Sequence, residues 1–260
     1  MSVLLRTEAV SKAFGGVQAL SEASIEVDEG SIAGLIGPNG SGKTTLFNVI
    51  TGYERVDAGQ VYLGGRQITN TAPDKVFAAG IGRTFQLTRV FSRLTVMENM
   101  IVAAQHHERG GQGRLRNPLA RAGGPATRRR AMELLEFTGI AGHAGALAET
   151  LSYGQRKLLE MSYVLMASPS IVLLDEPAGG VNPTLITMIA DRIRQLNEQG
   201  TTFLIVEHNM DFVMGLCDKV TVLDYGTAVV SGPPSVVRTD PKVLDAYLGT
   251  AEDDDDIPVS

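Results

Sequence analysis

The sequence reads Gly37-Pro38-Asn39-Gly40-Ser41-Gly42-Lys43-Thr44 between an apolar segment and a predicted helix that begins near Thr45. This stretch fits the pattern G-x-x-x-x-G-K-[ST] of a phosphate-binding loop. Glycines let the backbone curl so that its N–H groups converge on a phosphate at the positive end of the following helix. Lys43 would place its charge between the β- and γ-phosphates, and Thr44 would offer a hydroxyl to Mg²⁺. The strand–loop–helix context favours nucleotide binding over the alternative, a glycine-rich turn that only starts a helix.

Two adjacent acids follow a second apolar segment, in Ile171-Val172-Leu173-Leu174-Asp175-Glu176. Four apolar residues indicate a buried strand, and ligands of open α/β sheets bind at the carboxyl ends of such strands. Asp175 would orient the shell of a Mg²⁺ ion, while Glu176 is placed to polarise an attacking water. The alternative is that both acids only end the strand and face solvent. With the loop at 37–44, the pair predicts a metal-dependent nucleotide site.

Short apolar runs alternate with helical patterns along the chain, which is typical of an α/β protein with a mostly parallel sheet. The strand candidates are residues 31–36, 61–63, 171–174, 203–206 and 220–223. The clearest helix is predicted over 183–199, with Asn182 as its N-cap and Gly200 at its C-terminal stop. Another helix is predicted to start at Thr95, which forms a capping box with Glu98.

The composition excludes several classes of protein. With 260 residues, 43% of them hydrophobic and 20% charged, the chain can build a sizeable core and is not a disordered chain. The single cysteine, Cys217, excludes an internal disulfide and is expected to be a small core residue. No secretory signal is visible and no window approaches roughly 18 apolar residues, so we expect that the chain does not span a membrane by itself. The net charge of −6 is not spread over the chain, because five of the acids lie in the tail Glu252-Asp253-Asp254-Asp255-Asp256. An acidic, weakly aromatic surface argues against duplex nucleic acid as the main partner, since phosphate binding needs an excess of lysine and arginine.

Two segments lack the periodicity of packed structure. Residues 109–130 hold seven arginines, five glycines and no acid. We interpret about 105–127 as a flexible surface insertion, with contact to anionic lipid head groups or to an acidic partner surface as the alternative. A helical pattern resumes at Ala131 and continues past 150. The acidic end, 250–260, is expected to be a disordered, solvated tail.

Further motifs resemble those of the ATP-binding subunits of ABC transporters. The stretch Leu151-Ser152-Tyr153-Gly154-Gln155 is similar to the LSGGQ signature of that family. Gln86, in Arg83-Thr84-Phe85-Gln86, matches the glutamine that joins the sheet core to the helical subdomain. His208 matches the switch histidine after the last core strand, and Phe14 lies where the family stacks an aromatic ring on adenine.

The resemblance implies a fold and a division of the chain. The fold is the α/β P-loop NTPase of ABC type, in which a mostly parallel core sheet carries an antiparallel β part and an inserted helical subdomain. Residues 1–249 would form one ABC ATPase domain. Its core would be 1–87 with 168–249, and its helical subdomain 88–167.

The resemblance also implies the roles of the site residues, with ATP and Mg²⁺ as cofactors. ATP would be bound by Phe14, Gly37, Pro38, Asn39, Gly40, Ser41, Gly42, Lys43, Thr44 and Thr45. From a partner subunit, Ser152, Gly154 and Gln155 would close over the γ-phosphate. The metal would be held by Thr44, Gln86 and Asp175, and the catalytic residues would be Glu176, His208 and Gln86.

Several stretches are similar to the larger of the two ATPase subunits of branched-chain amino acid importers. They are Phe14 to Leu20, Arg83 to Gln86, Leu151 to Gln155, Glu176 to Pro183, Val206 to Met210 and Ala246 to Gly249. Importers of urea, short amides or aromatic acids share much of this pattern. Two residues depart from the wider family: Tyr153 replaces a glycine of the signature, and Asn182 stands where an aspartate is common. A neutral amide still forms hydrogen bonds, but any role that needs a carboxylate there is in doubt.

The implied function is a peripheral ATPase subunit that energises a membrane importer from the cytoplasmic face of the cell membrane. The implied partners are two membrane permease subunits and a second homologous ATPase or another copy of this chain. A periplasmic or extracellular solute-binding protein would take part indirectly, and no nucleic acid is expected. The alternative is a soluble ABC-type ATPase without a membrane partner.

Overall fold

The computed structural model describes residues 2–85, 90–108 and 123–248. The strands within these ranges are β1 (Val3–Phe14), β2 (Val17–Asp28), β3 (Ile32–Ile36), β4 (Ala58–Leu63), β5 (Arg66–Gln67), β6 (Ile81–Arg83), β7 (Ile171–Asp175), β8 (Thr202–Val206), β9 (Lys219–Asp224) and β10 (Thr227–Gly232). The α-helices there are α1 (Lys43–Ile50), α2 (Pro73–Ala78), α3 (Val96–Glu108), α4 (Pro125–Phe137), α5 (Tyr153–Leu165), α6 (Pro183–Glu198), α7 (Met210–Leu216), α8 (Pro234–Val237) and α9 (Pro241–Leu248). None of these helices has the length and apolarity that a membrane span requires.

The chain divides into two compact units. Among the described residues, the first consists of 2–73 together with 202–248, and the second of those that lie within 74–201. The division of 1–249 into a core and a helical subdomain at 88 and 167 stays a prediction.

An antiparallel sheet with the strand order β2-β1-β4-β5 lies in the first unit. Gly15 and Gly16, both with positive φ, form the two-residue turn between β1 and β2, and Phe14 pairs with Val17 across it. Positive φ at both central positions matches the right-handed twist of the flanking strands. The exposed tip of this hairpin carries Phe14.

Parallel strands form the other sheet region of the first unit, where β3 lies between β8 and β9 and β10 pairs antiparallel with β9. All five residues of β3 are buried. A strand covered on both faces reads as a continuous apolar run, which is why the sequence reveals it. Cys217 is buried near Gly34 as expected, and burial raises the pKa of its thiol to about 12.

The second unit contains the parallel pair β6 and β7 and the helices α3 to α6. Two predicted caps are confirmed there. The Thr95 hydroxyl accepts the Glu98 N–H, and the Glu98 carboxylate accepts the Thr95 N–H at 2.8 Å. The Asn182 side chain accepts the Leu185 N–H at 2.9 Å, so helix α6 begins as the sequence predicts.

The five strand candidates are all confirmed, with shifts of a few residues at their ends. The periodicity of the sequence does not reveal the long strands β1 and β2. Their alternation is interrupted at Ala9 and Glu22, two non-glycine residues with positive φ, and the register shifts between Thr7 and Val10. An irregularity of this kind moves later side chains to the opposite face, which hides the two-residue period.

Two expectations about the helical stretch are corrected. The predicted bounds of the flexible insertion, 105–127, are too wide, because helix α3 continues to Glu108 and helix α4 begins at Pro125. Pro125 is favoured at a first helical position, where its missing N–H has no partner to lose. The helical pattern from Ala131 is also not continuous past 150, since Gly139 with positive φ ends α4 and two 3₁₀ turns, Ala141–His143 and Ala148–Thr150, precede α5. Residues 109–122 and the tail 250–260 lie outside the described residues.

Candidate nucleotide site

The backbone of the loop after β3 packs directly against the backbone of neighbouring strands. A Cβ at Gly37 would lie 2.0 Å from the Leu223 oxygen, and one at Gly42 would lie 2.4 Å from the Ala19 oxygen. Real Cβ atoms do not approach oxygens so closely. The φ values of +150° and +99° at these two glycines also disfavour a side chain. The predicted glycine pattern therefore fixes the curve of the loop between β2 and β9.

Helix α1 starts directly after this loop, and its N-terminus is suited to an anion. Gly42 is the N-cap, no side chain caps the helix, and the first turn carries no acid. The first N–H groups of a helix have no acceptor within the helix and carry partial positive charge. The Thr44 side chain is exposed in this turn and Thr45 is half-buried.

The Lys43 ammonium is held inside the curve of the loop. Lys43 is 5% exposed, and its Nζ donates to the Gly37 oxygen at 2.8 Å and to the Pro38 oxygen at 2.7 Å. The loop therefore concentrates a full positive charge beside the positive end of α1. Asn39 and Gly40 lie exposed at the tip, whereas Ser41 is buried.

A tight turn that sequence reasoning missed supports the loop from β9 and β10. The Gly226 N–H donates to the Ser41 oxygen at 3.0 Å, and the Gly226 oxygen accepts the Ser21 N–H at 2.9 Å. Tyr225 and Gly226 both have positive φ. The signal was present, since an Asp-Tyr-Gly-Thr stretch between two apolar runs is typical of a two-residue hairpin turn.

Phe14 is 44% exposed at the hairpin tip and has its own support. Lys12 Nζ lies 5.1 Å from the centre of the Phe14 ring and 3.3 Å from Asp57 Oδ1. The other Asp57 oxygen accepts the Ala13 N–H at 2.7 Å. This backbone hydrogen bond, followed by the Lys12 hydrogen bond, holds the pKa of Asp57 below its ordinary value. Strand β2, which contributes the Ala19 oxygen to the loop, belongs to the same hairpin.

His208 lies at the same edge of the sheet as the phosphate-binding loop. Leu35 of β3 pairs in parallel with Val206 of β8, so both strands end side by side. The Glu207 carboxylate is buried and accepts the N–H groups of His208 at 2.9 Å and Asn209 at 3.2 Å. This turn leaves the His208 side chain exposed.

In the second unit, Asp175 ends β7 in a buried polar cluster. Its Oδ2 lies 3.1 Å from the Arg83 guanidinium, and both side chains are less than 10% exposed. The Asp175 N–H donates to the Thr84 hydroxyl at 3.2 Å. The alternative of a solvent-facing acid is therefore wrong for Asp175.

Glu176 is half-buried and adopts a left-handed backbone with φ +49°. Its carbonyl oxygen accepts the Lys157 ammonium and the Gly179 N–H, the latter at 3.1 Å. Lys157 is 8% exposed. No local sequence pattern identifies Arg83 or Lys157 as a partner of these acids, because the two residues come from β6 and α5.

The signature stretch forms the start of α5. The Ser152 hydroxyl accepts the Gln155 N–H at 3.3 Å and the Gln155 side chain accepts the Ser152 N–H at 2.9 Å, a capping box. Ser152 is exposed, and Gly154 leaves room for Leu185, whose Cδ2 would lie 2.3 Å from a Cβ there. Gln86 lies outside the described residues, so its predicted place at the metal stays a prediction.

Comparisons with known proteins identify the family of the chain. The ABC transporter family matches residues 20–179, and a family described as branched-chain amino acid ATP-binding cassette transporter matches 229–253. The chain is similar to the high-affinity branched-chain amino acid transport ATP-binding protein LivG of Salmonella typhimurium, at 38% identity over 95% of this chain and 98% of the relative. It is also similar to the probable LivG of Archaeoglobus fulgidus, at 36% identity over 96% of each chain.

Solved structures give the same result. The ADP conformation of MJ1267, an ATP-binding cassette of an ABC transporter, superposes with a TM-score of 0.83 at 36% identity, over 96% of this chain and all of the other. The predicted α/β P-loop NTPase fold of ABC type is therefore confirmed. On these matches, which extend over nearly the whole chain, this protein belongs to the ATP-binding cassettes of the ABC transporter family and is an ATPase.

Proposed function

We propose that this chain is the ATP-hydrolysing subunit of a branched-chain amino acid importer. The observation that carries the ATPase part is the Lys43 ammonium, held by two loop carbonyls next to an uncapped helix N-terminus. The solute is supported by the names of the relatives and by the match at 229–253. Urea, short amides and related small solutes are the neighbouring choices within the same group of importers.

Nucleotide binding is assigned to the first unit. The flat Phe14 ring would stack on adenine, which needs no polar handle. The backbone N–H groups of Gly37 and of residues 39–45, together with the Lys43 ammonium, would bind the phosphates, whereas Pro38 has no N–H and would only shape the loop. Asn39 and Gly40 at the exposed tip would contribute backbone donors only.

The metal proposed is Mg²⁺, and by family resemblance the Thr44 hydroxyl and the Asp175 carboxylate would each supply an oxygen donor. Such hard oxygen donors fit Mg²⁺, which takes one or two protein oxygens together with phosphates and waters. Gln86 is a third donor by family resemblance. When bound, Mg²⁺ would neutralise charge that develops on the transferred phosphate.

Hydrolysis is assigned to Glu176 and His208. Glu176 would accept a proton from the attacking water, and the exposed His208 imidazole would contact the γ-phosphate. The Arg83 guanidinium, 3.1 Å from Asp175 Oδ2, would keep the Asp175 carboxylate ionised and oriented for its proposed role.

A partner subunit is proposed to complete each site. Ser152, Gly154 and Gln155 of one ATPase would close over the γ-phosphate bound by the other, either a second homologous subunit or another copy of this chain. Two permease subunits would hold the pair at the cytoplasmic face of the membrane, and a solute-binding protein outside the cell would deliver the solute. The exposed Ser152 at the start of α5 supports this assignment.

The test of the catalytic assignment is Glu176→Gln in the full-length chain, with Glu198→Gln, an exposed acid at the end of α6, as the matched control. Single-turnover hydrolysis should fall by about 10²–10⁴-fold, which is typical for a positioned acid–base group, while ATP binding is retained. Wild-type hydrolysis by Glu176→Gln would contradict the role of Glu176.

The test of the transport assignment is purification of the chain from native membranes before and after a high-salt wash. Co-purification of two hydrophobic permeases and a second ATPase is the expected result. A chain found only in the soluble fraction or on ribosomes would favour the soluble ATPase, and the hydrolysis chemistry would remain.

A further inference from the structure

The backbone of Glu176 is strained in a way that needs an explanation. Left-handed φ is unfavourable for a residue with a Cβ, and Glu176 has φ +49°. The next residue is Pro177, which drives its predecessor toward extended backbone with negative φ. A conformation disfavoured for two reasons persists only where neighbouring groups hold it in place, and such strain is concentrated at functional sites.

The holding groups converge on the Glu176 carbonyl oxygen. A carbonyl oxygen has two lone pairs, and here it accepts two donors, the Lys157 ammonium and the Gly179 N–H. Two donors from different directions fix the peptide plane between Glu176 and Pro177. Strand β7 ends at Asp175, directly before Glu176, so the chain is also constrained on the other side of the Glu176 Cα. Holding the plane after Glu176 as well limits the directions in which the Glu176 side chain can leave the backbone. The Gly179 bond belongs to the local turn, whereas the Lys157 bond reaches across from another element.

Lys157 is itself held by its surroundings. It is 8% exposed on α5, and its ammonium lies 5.4 Å from the centre of the Tyr153 ring, one turn earlier on the same helix. Tyr153 in turn packs on Gly180, where an added Cβ would lie 3.1 Å from the ring. The signature residue that departs from the family pattern thus contacts both the lysine and the loop after Glu176.

We propose that Lys157 is a positioning residue for ATP hydrolysis, which holds the backbone of Glu176 in its left-handed conformation and thereby aims the Glu176 carboxylate. Tyr153 supports Lys157 in this task. The inference rests on the proposed role of Glu176 as the group that polarises water. The proposal gives Lys157 no direct contact with the reacting atoms.

The experiment compares Lys157→Met, Lys157→Arg and Lys75→Met in the full-length chain. Methionine keeps the length and apolar stem of lysine but cannot donate, arginine can still donate, and Lys75 is an exposed lysine on α2 that serves as the control. We expect Lys157→Met to lower the single-turnover rate by about 10- to 100-fold while the dissociation constant for ATP changes by less than about twofold, a loss confined to the chemical step. Lys157→Arg should recover most of the rate, and Lys75→Met should match wild type.

A double variant separates positioning from a merely structural role. In a Glu176→Gln background, Lys157→Met should cause no further loss, because a residue that acts only through the Glu176 carboxylate has nothing left to aim. Independent, multiplying losses would overturn the proposal, as would a wild-type rate in Lys157→Met. If Lys157→Met shows no cooperative thermal transition, the same comparison is made with Tyr153→Leu, for which a loss of several-fold that vanishes in the Glu176→Gln background is expected.

The two proposals fail differently. A wild-type rate in Glu176→Gln removes the catalytic assignment of Glu176 and with it the role given to Lys157. A strong loss in Glu176→Gln together with a wild-type rate in Lys157→Met leaves the proposed function intact and removes only the positioning role.

Discussion

The phosphate loop and the strand end at Asp175 are held in place by different kinds of contact. The loop is fixed where its backbone meets other backbone, with the position of a Gly37 Cβ only 2.0 Å from the Leu223 oxygen. Asp175 is fixed by side chains, the Arg83 guanidinium at 3.1 Å and the Thr84 hydroxyl on its N–H. Backbone packing demands glycine at set spacings, which a short stretch of sequence displays. Side-chain partners can come from any element that the fold brings near.

The loop is where the largest loss of stability is expected. In Gly37→Ala the new methyl group would overlap the Leu223 oxygen and the Ser41 hydroxyl, so the free energy of unfolding should fall by about 4 kcal/mol or more. Gly40→Ala is the matched control, because its φ of +78° is also left-handed but no atom lies within 4 Å of the added Cβ. Backbone strain alone should cost that variant about 1–2 kcal/mol. Urea unfolding of both full-length variants measures the difference, and equal losses would show that close packing does not fix the loop.

The strand end should be nearly as sensitive, through a side chain instead of the backbone. Arg83→Met leaves a buried carboxylate without its guanidinium partner, which typically costs about 3–5 kcal/mol of unfolding free energy. Arg129→Met, at a guanidinium that is 76% exposed on α4, is the control and should change stability by less than about 0.5 kcal/mol. Chemical denaturation again gives the numbers.

The same pair offers an internal check. Arg83→Met combined with Asp175→Asn should cost less than Arg83→Met alone, since no uncompensated buried charge remains. A double variant that loses the sum of both single losses would mean that the 3.1 Å ion pair does not govern stability at this strand end.

The difference between backbone packing and side-chain partners also decides which features the sequence can predict. The buried strand before Gly37, the loop itself and the cap at Asn182 are local patterns, and the sequence predicts each of them. The partners of Asp175 and Glu176 could not be found, because Arg83 is 92 residues from Asp175 and Lys157 is 19 residues from Glu176. Neither has a motif spacing of its own toward the acid. The hairpin β1–β2 was hidden for a different reason, its interrupted alternation.

The contacts that hold the hairpin tip at Phe14 give a third case beside the loop and the strand end. They are made by side chains, as at Asp175, but they lie at the protein surface. The Asp57 carboxylate accepts the Ala13 N–H and forms an ion pair with Lys12, and its side chain is 52% exposed. Water competes for both interactions at such a position, so the effect on the hairpin tip should be the smallest of the three. Asp57→Asn can still accept the Ala13 N–H and loses only the charge, whereas Asp57→Ala loses both. We expect ATP affinity, measured by titration calorimetry, to fall by no more than a few-fold in Asp57→Ala and by less in Asp57→Asn.

The pH dependence of this support has a definite sign. The pKa of Asp57 in the folded protein is lowered from 3.8, first by the Ala13 N–H and then by Lys12. A lowered pKa means that the contribution of the carboxylate is fully present above the ordinary value and is lost as the pH falls through the lowered one. The ratio of wild-type to Asp57→Asn affinity should therefore stay constant from about pH 6 to 8, and the carboxyl should titrate below its ordinary value in a carbon-detected NMR titration. An affinity ratio that changes between pH 6 and 8 would show that another titrating group, and not Asp57, controls the hairpin tip.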